Sequence, residues 1–232
     1  MIELLSFGDA GWGDDLAYGA FTTIQLALYS VVIGFSLGMV LAMAKLSRFH
    51  VLRWLVEAYI LFIRGVPEFL ILLLVFFGSE SLIQYIFDSL GYEVTIVVPK
   101  LSAAVAGLSL IFAAYSCEVF RGAYLAIPTG QIEAGHSSGM SHLQIFRRIR
   151  LPQMWRYAIP GLGNLWMVML KDTSLAAVIA LDELLRVSKI AGENTANPLL
   201  FFTIAGLIYL GMTILSDIIR HKAEQYARRG HG

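Results

Sequence analysis

Cysteine is nearly absent from this chain. The one thiol, Cys117, excludes an internal disulfide and leaves the redox compartment unmarked. Charge is scarce as well: 15% of the residues are Asp, Glu, Lys or Arg, against about 25% in soluble domains. The charges cancel, with 17 residues of each sign, so the overall balance offers nothing to nucleic acid. No group of Cys, His and carboxylates has metal-ligand spacing, and none of the five histidines interrupts a long apolar run. There is no G-x-x-x-x-G-K-[ST], so the chain cannot cradle ATP phosphates by that route. No internal repeat is visible, which counts against a self-contained channel or secondary transporter built from two related halves. The charges within apolar runs are scattered, which argues against an intramembrane enzyme with paired catalytic groups.

What is present is apolar. Hydrophobic residues make up 57% of the chain and the mean hydropathy is +0.70. That composition predicts an all-α integral membrane protein forming a single membrane domain over 1–232. Crossing ~30 Å of hydrocarbon takes about 20 apolar residues. Five segments qualify: roughly Ala20–Ala44, Val56–Gly78, Leu101–Phe120, Tyr157–Leu181 and Leu199–Ile219. The stretch "SESLIQYIFDSLGYEVTIVVPK" between spans two and three is short and acidic and reads as an interfacial segment. Asn197 and Pro198 supply a start signal for span five.

Cations set the orientation. Twelve Lys and Arg follow spans one, three and five, from Lys45 to Arg229. Only Lys100, Arg186 and Lys189 lie on the other side. The bias places the N-terminus outside and the C-terminus in the cytoplasm. The opening residues carry Glu3, Asp9, Asp14 and Asp15 but no cation or convincing cleavage site, so span one is expected to remain as an anchor. The final "RRGHG" reads as a solvated tail.

The longest cytoplasmic loop, 121–156, contains "EAGHSSGMSHLQIFRRIRLP". Its pattern predicts two short helices. Thr129 is placed to cap the first, and Gly139 to end it in a left-handed turn. Ser141 and Gln144 form a capping box for the second. Leu143, Ile145, Phe146 and Ile149 give that helix an apolar side, and Pro152 is expected to close it. A small-residue corner between two exposed helices suits docking against another protein, although a solvated basic loop has the same composition. The embedded G-H-S-S-G matches a nucleophile elbow by chance, since no strand pattern precedes Ser137.

Ionisable residues within spans are costly and face protein or water. Arg64 and Glu68 read either as an intrahelical pair or as a subunit-interface feature, with Pro67 kinking span two between them. Glu118 reads as a carboxylate meeting Arg121 or as a ligand contact. Tyr115 reads as packing or as pathway lining. Lys171 and Asp172 lie toward the outer side of span four. Asp172 is the candidate carboxylate for a cationic ligand, with pairing to Lys171 as the alternative. Gly34-x-x-x-Gly38 in span one, and Ala103, Ala104, Ala106 and Gly107 in span three, favour close helix packing.

Several motifs together resemble the permeases of bacterial ABC importers. Glu133-Ala134-Gly135, then Gly139, then Ile149-x-Leu151-Pro152 is similar to their "EAA" loop, with Gly135 where alanine is usual. "IRGVPEFLILLLVFFG", "AAYSCEVFRGAYLAIPTGQIEAG" and "LKDTSL" resemble the polar-amino-acid branch, and within it the Q-type subunits of arginine, histidine and opine importers. The likeness covers residues 15–225. It implies a type I importer permease fold in the bacterial inner membrane, with the loop as a coupling helix. Glu133, Ala134, Gly135 and Gly139 would then couple to an ATPase, and Asp172, Lys171, Tyr115 and Glu118 would lie along the substrate pathway. The implied partners are a second permease subunit, a paralogue of this one, two ATPase subunits and a periplasmic binding protein. ATP and Mg would be bound by the ATPase and no cofactor by this chain. The implied substrates are cationic amino acids or opines.

Overall fold

The structure, a computed structural model, describes residues 3–8, 11–92 and 94–228. Every regular element among them is helical. In chain order the helices are α1 (Gly13–Lys45), α2 (His50–Gly65), α3 (Glu68–Ser89), α4 (Lys100–Leu125), α5 (Thr129–Ser137), α6 (His142–Ile145), α7 (Leu151–Asp172), α8 (Leu184–Thr195) and α9 (Pro198–Arg228). Five stretches are long and apolar enough to cross a membrane: α1, α3, α4, the run His142–Ile179 that contains α7, and α9. The 33 residues of α1 span ~50 Å at the helical rise. Asp9, Glu93 and the tail from Arg229 onward lie outside the described residues.

The bundle is organised around α4, whose apolar residues are the most thoroughly buried of the five spans. Small residues make that position possible. On α1, a Cβ at Gly34 would fall 2.7 Å from the Ser109 carbonyl oxygen, and one at Gly38 would fall 3.0 Å from that of Ala113. The two helices therefore touch backbone to backbone, in the small-xxx-small manner expected from the sequence. Ser116 adds a bond across the contact, its hydroxyl donating to the Gly34 carbonyl at 3.3 Å. The pairings 34 with 109 and 45 with 118 show that α1 and α4 run parallel. Helix α3 returns antiparallel, with Leu72 against Gly107 and Glu68 against Tyr115. Aromatic rings fill the space toward α7: Phe35 stacks on Trp155, 5.4 Å between centroids, and both meet Phe120 edge-on.

Span two differs from its expected form. The helix stops at Gly65, and Val66 and Pro67 are extended before a new helix begins at Glu68. The residue before a proline is pushed from helical to extended backbone, so the Val-Pro pair breaks the run instead of kinking it. The membrane-crossing segment is therefore α3, displaced toward the C-terminus. Its helix continues through Ser89 and absorbs half of the stretch expected to be interfacial. After a turn at Leu90 and Gly91, residues 94–99 form no regular element and are tied back where Ile96 and Val98 donate to Gln84 and Glu80. The separate α2 is amphipathic and buries Val56, Ile60 and Ile63, while the Tyr59 hydroxyl donates to the Leu110 carbonyl of α4 at 2.6 Å.

Pro152 also behaves differently. It does not end the second loop helix, because a π turn at Phe146–Arg150 joins α6 to α7 without a break. A proline inside a helix presses its ring on the carbonyl four residues back. The wider π turn relieves that contact just before Pro152. Span four thus begins at the loop itself, and Lys171 and Asp172 stand at the far end of α7, where a 3-10 stretch, Thr173–Ile179, takes over.

Candidate functional site

Two regions hold the residues singled out from the sequence. The first is the loop corner. Helix α5 starts after Pro128, whose fixed backbone takes the cap position expected of Thr129, with no side-chain cap bond. Its end follows the glycine rule. Gly139 has φ +75°, its N–H donates to the His136 carbonyl at 2.9 Å, and the Met140 N–H donates to the Gly135 carbonyl at 3.0 Å. This pair of bonds is a Schellman motif. Ser141 then caps α6 in a complete capping box: its hydroxyl accepts from the Gln144 N–H, and Gln144 accepts from the Ser141 N–H at 2.8 Å. The corner is thus fixed on both sides by backbone satisfaction.

Gly135 is buried where the two loop helices meet. A Cβ there would stand 2.9 Å from Ile149 Cδ1 and 3.1 Å from Ile145 Cγ1. Glu133 and Ala134 are exposed on the outer face of α5, which leaves the carboxylate free to meet a partner cation. The loop is anchored to the bundle by Arg150, which donates to the Tyr124 hydroxyl and stacks on its ring at 4.9 Å, and by Gln153, which donates to Gln131. The corner histidines His136 and His142 meet edge-to-face, 4.9 Å between ring centroids. Ser137 ends a helix here, which is not the setting of a nucleophile elbow.

The second region lies at the opposite end of α7. Tyr115 of α4 donates to Glu68 of α3 at 3.2 Å, and the Arg64 guanidinium lies 5.3 Å over the Tyr115 ring. Asp172 is within electrostatic range of both Glu68 and Tyr115. The break at Pro67 creates this cluster: Arg64 and Glu68 belong to different helices and form no ion pair, so the intrahelical reading does not hold. Asp172 forms no ion pair with Lys171 or any other described cation either. Lys171 turns to another side, where it lines a cavity of about 490 Å³ with Ser174, Leu185, Phe202 and Tyr209. Of the four pathway candidates, Tyr115 and Asp172 lie within electrostatic range of each other without a direct bond between them.

Glu118 stands apart, toward the loop end. It meets Arg121 at 3.1 Å, as the sequence suggests, and also Lys45 at 2.6 Å, joining the end of α1 to α4. The lysine partner, 73 residues away, left no signal in the spacing.

Sequence reasoning also missed Glu183. It is fully buried and caps α8 by accepting from the Leu185 and Arg186 N–H groups at 2.9 and 2.8 Å. The Tyr209 hydroxyl donates to it at 3.0 Å. Burial holds its carboxyl above the ordinary value, and the surrounding donors oppose that rise only in part. The one available signal was an acidic residue just before "LLRVSKI", a capping position.

A family model of binding-protein-dependent transport system inner membrane components matches residues 34–228. The chain is 45% identical over 230 residues to the nopaline transport system permease protein NocQ of Agrobacterium fabrum, covering 99% of this chain and 98% of that protein. It is 41% identical over 207 residues to the histidine/lysine/arginine/ornithine transport system permease protein HisQ of Salmonella typhimurium, covering 89% and 90%. The crystal structure of an amino acid ABC transporter with histidines is similar at a TM-score of 0.80 and 28% identity, covering 93% of this chain and 95% of that one.

Proposed function

We propose a transport cycle from one premise: the chain belongs to the family of binding-protein-dependent transport system inner membrane components. It is a multi-pass permease subunit of an amino-acid or opine ABC importer, and the partner ATPase, not this chain, hydrolyses ATP. Such permeases work with ATPase subunits and binding proteins.

The substrate is a cationic amino acid or an opine. The observation that carries this is a pair of carboxylates, neither in an ion pair: Glu68, which accepts from the Tyr115 hydroxyl, and Asp172, within electrostatic range of Glu68. An ammonium or guanidinium leaving water loses hydration, and the low dielectric of a membrane cavity makes a facing carboxylate an effective replacement. The substrates named for the similar permeases agree with it: nopaline, and histidine, lysine, arginine and ornithine.

The loop corner is the coupling element. Glu133, Ala134, Gly135 and Gly139 form the surface that an ATPase cleft receives, with the loop in the cytoplasm and the N-terminus in the periplasm. Closure of the ATPase dimer on ATP and Mg moves the corner, and the bundle rocks from inward- to outward-open. The second permease is a paralogue of this chain, a periplasmic binding protein delivers substrate, and Glu118 with its two cations holds the pathway's inner end together.

The test is Asp172→Asn, which keeps size and removes charge. In liposomes containing the full importer, uptake of arginine is expected to fall about tenfold or more while a neutral analogue loses much less. Equal losses for both would mean a structural role for Asp172. Unchanged uptake would move the ligand contacts to the second permease.

A further inference from the structure

The break between α2 and α3 lies at membrane depth. Glu68, just past it, bonds to Tyr115, which stands about 22 Å along α4 from Lys100 at the helical rise. That is within the ~30 Å of hydrocarbon a span crosses. Val66 and Pro67 have extended ψ there, 139° and 132°. Irregular backbone at such depth is tolerated only where it is buried in protein or lines a water-filled cavity. Pro67 and Arg64 are both exposed in this subunit. The break therefore fronts a cavity or the second permease. Interrupted spans of this kind gather ligand groups at their half-helix ends.

Arg64 is the group the fold leaves unsatisfied. Its guanidinium carries five N–H donors in a planar fork. Among the described residues no carboxylate pairs with it and no oxygen accepts from it. Its contact is with the Tyr115 ring, 5.3 Å from the centroid. That attraction steadies the guanidinium and occupies none of its N–H groups. Arg64 is in the last turn of α2 and Glu68 in the first turn of α3. The helix dipoles favour both placements, yet they too leave the fork unfilled. Glu68 meets the same ring at its other end, accepting from the hydroxyl at 3.2 Å. One tyrosine thus holds a cation and an anion that do not neutralise each other.

We propose that Arg64 receives the α-carboxylate of the transported amino acid, while Glu68, across the Tyr115 ring, receives its α-ammonium. This rests on the reading of the region as the substrate site. A bare cation approaching Glu68 would also meet the charge of Arg64 and be opposed by it. A head group carrying both signs satisfies both residues, so the pair selects an amino acid over a simple amine. Guanidinium and carboxylate match through two parallel bonds, a geometry that lysine does not reproduce. The labour is then divided. The helix break reads the head that every amino acid shares, and Asp172 reads the cationic side chain.

The experiment measures binding of arginine and of agmatine, which is arginine without its carboxylate, to the purified permease–ATPase complex. The unaltered complex should prefer arginine about tenfold or more. No arginine binding, or no preference, overturns the proposal. Arg64→Gln should lower arginine affinity to near that of agmatine and change agmatine affinity by less than about threefold. A guanidinium that serves the fold or the second permease would instead lower both ligands in proportion to the assembled complex, and that result overturns the proposal. Should Arg64→Gln not assemble, Arg64→Lys decides: it keeps the charge, loses the fork and should reduce the preference about threefold or more. An unchanged preference overturns the proposal. Asp172→Asn separates the two levels, because both ligands carry the guanidinium side chain. If it weakens both alike and Arg64→Gln leaves the preference intact, the proposal fails alone. If it weakens neither while Arg64→Gln abolishes the preference, the role of Asp172 fails and the proposal stands.

Discussion

Replacing Gly139 with valine tests whether the loop corner transmits the ATPase stroke. The residue has φ +75°, and nothing lies within 4 Å of where its Cβ would be. The damage is therefore backbone strain and not a clash. A β-branched side chain in the left-handed region costs about 2 kcal/mol or more, which disfavours the corner about 30-fold. Opening the corner breaks the bonds to the His136 and Gly135 carbonyls and separates the two loop helices. Insertion should persist, because the five spans do not pass through the corner. In the reconstituted importer, substrate-stimulated ATP hydrolysis and uptake are expected to fall together, with assembly measured on the same sample. Gly139→Asn, which tolerates a left-handed backbone, should retain most of both. Gly135→Ala should also be mild, since the nearest atom is Ile149 Cδ1, the mobile end of a side chain. Normal coupling by Gly139→Val would refute the reasoning. So would an asparagine variant as defective as valine, which would place the fault in a surface contact and not in backbone strain.

Reporter fusions at Thr95 and Asn194 should report the periplasm and one at Ser138 the cytoplasm; a periplasmic Ser138 would invert the assigned orientation. Glu118→Gln weakens the ties to Lys45 and Arg121, both partly shielded from water, and should destabilise the subunit by about 1–3 kcal/mol in a thermal-unfolding assay without changing substrate preference; a shift in preference would place Glu118 on the pathway. Gly38→Leu forces a side chain into the Ala113 carbonyl and the Cys117 backbone and should abolish assembly, seen as loss of the ATPase on co-purification; a normal complex would show that α1 and α4 can part.

Sequence and structure agree where the code is local. The Schellman corner at Gly139, the capping box of Ser141 and Gln144, and the glycine stripe on α1 each depend on a few neighbouring residues whose chemistry has one reading. The disagreements arise from competition between local rules. Val66-Pro67 could kink or break span two, and composition does not say which; the extended preference before proline won. Pro152 reads as a stop in isolation, and only a π turn upstream converts it into a continuation. The polar groups were the least legible. Asp172 was visible as a carboxylate in an apolar run, yet Glu68 and Tyr115, the groups within its electrostatic range, come from helices more than 50 residues away in sequence. Glu183 lay beyond the apolar runs, so nothing in its surroundings marked it as buried.

The unbroken helix from His142 to Asp172 makes the permease a machine with a rod through it. Thirty-one residues of continuous helix reach ~46 Å, from the corner to the carboxylate. A rod cannot be pushed at one end without being felt at the other: a 5° tilt about the corner carries the far tip about 4 Å, more than the length of a hydrogen bond. Only two points along it can flex, the π turn and Pro160. The timing of ligand release would then be set by the stiffness of those two joints, and softening either one would let the motor turn without moving its cargo.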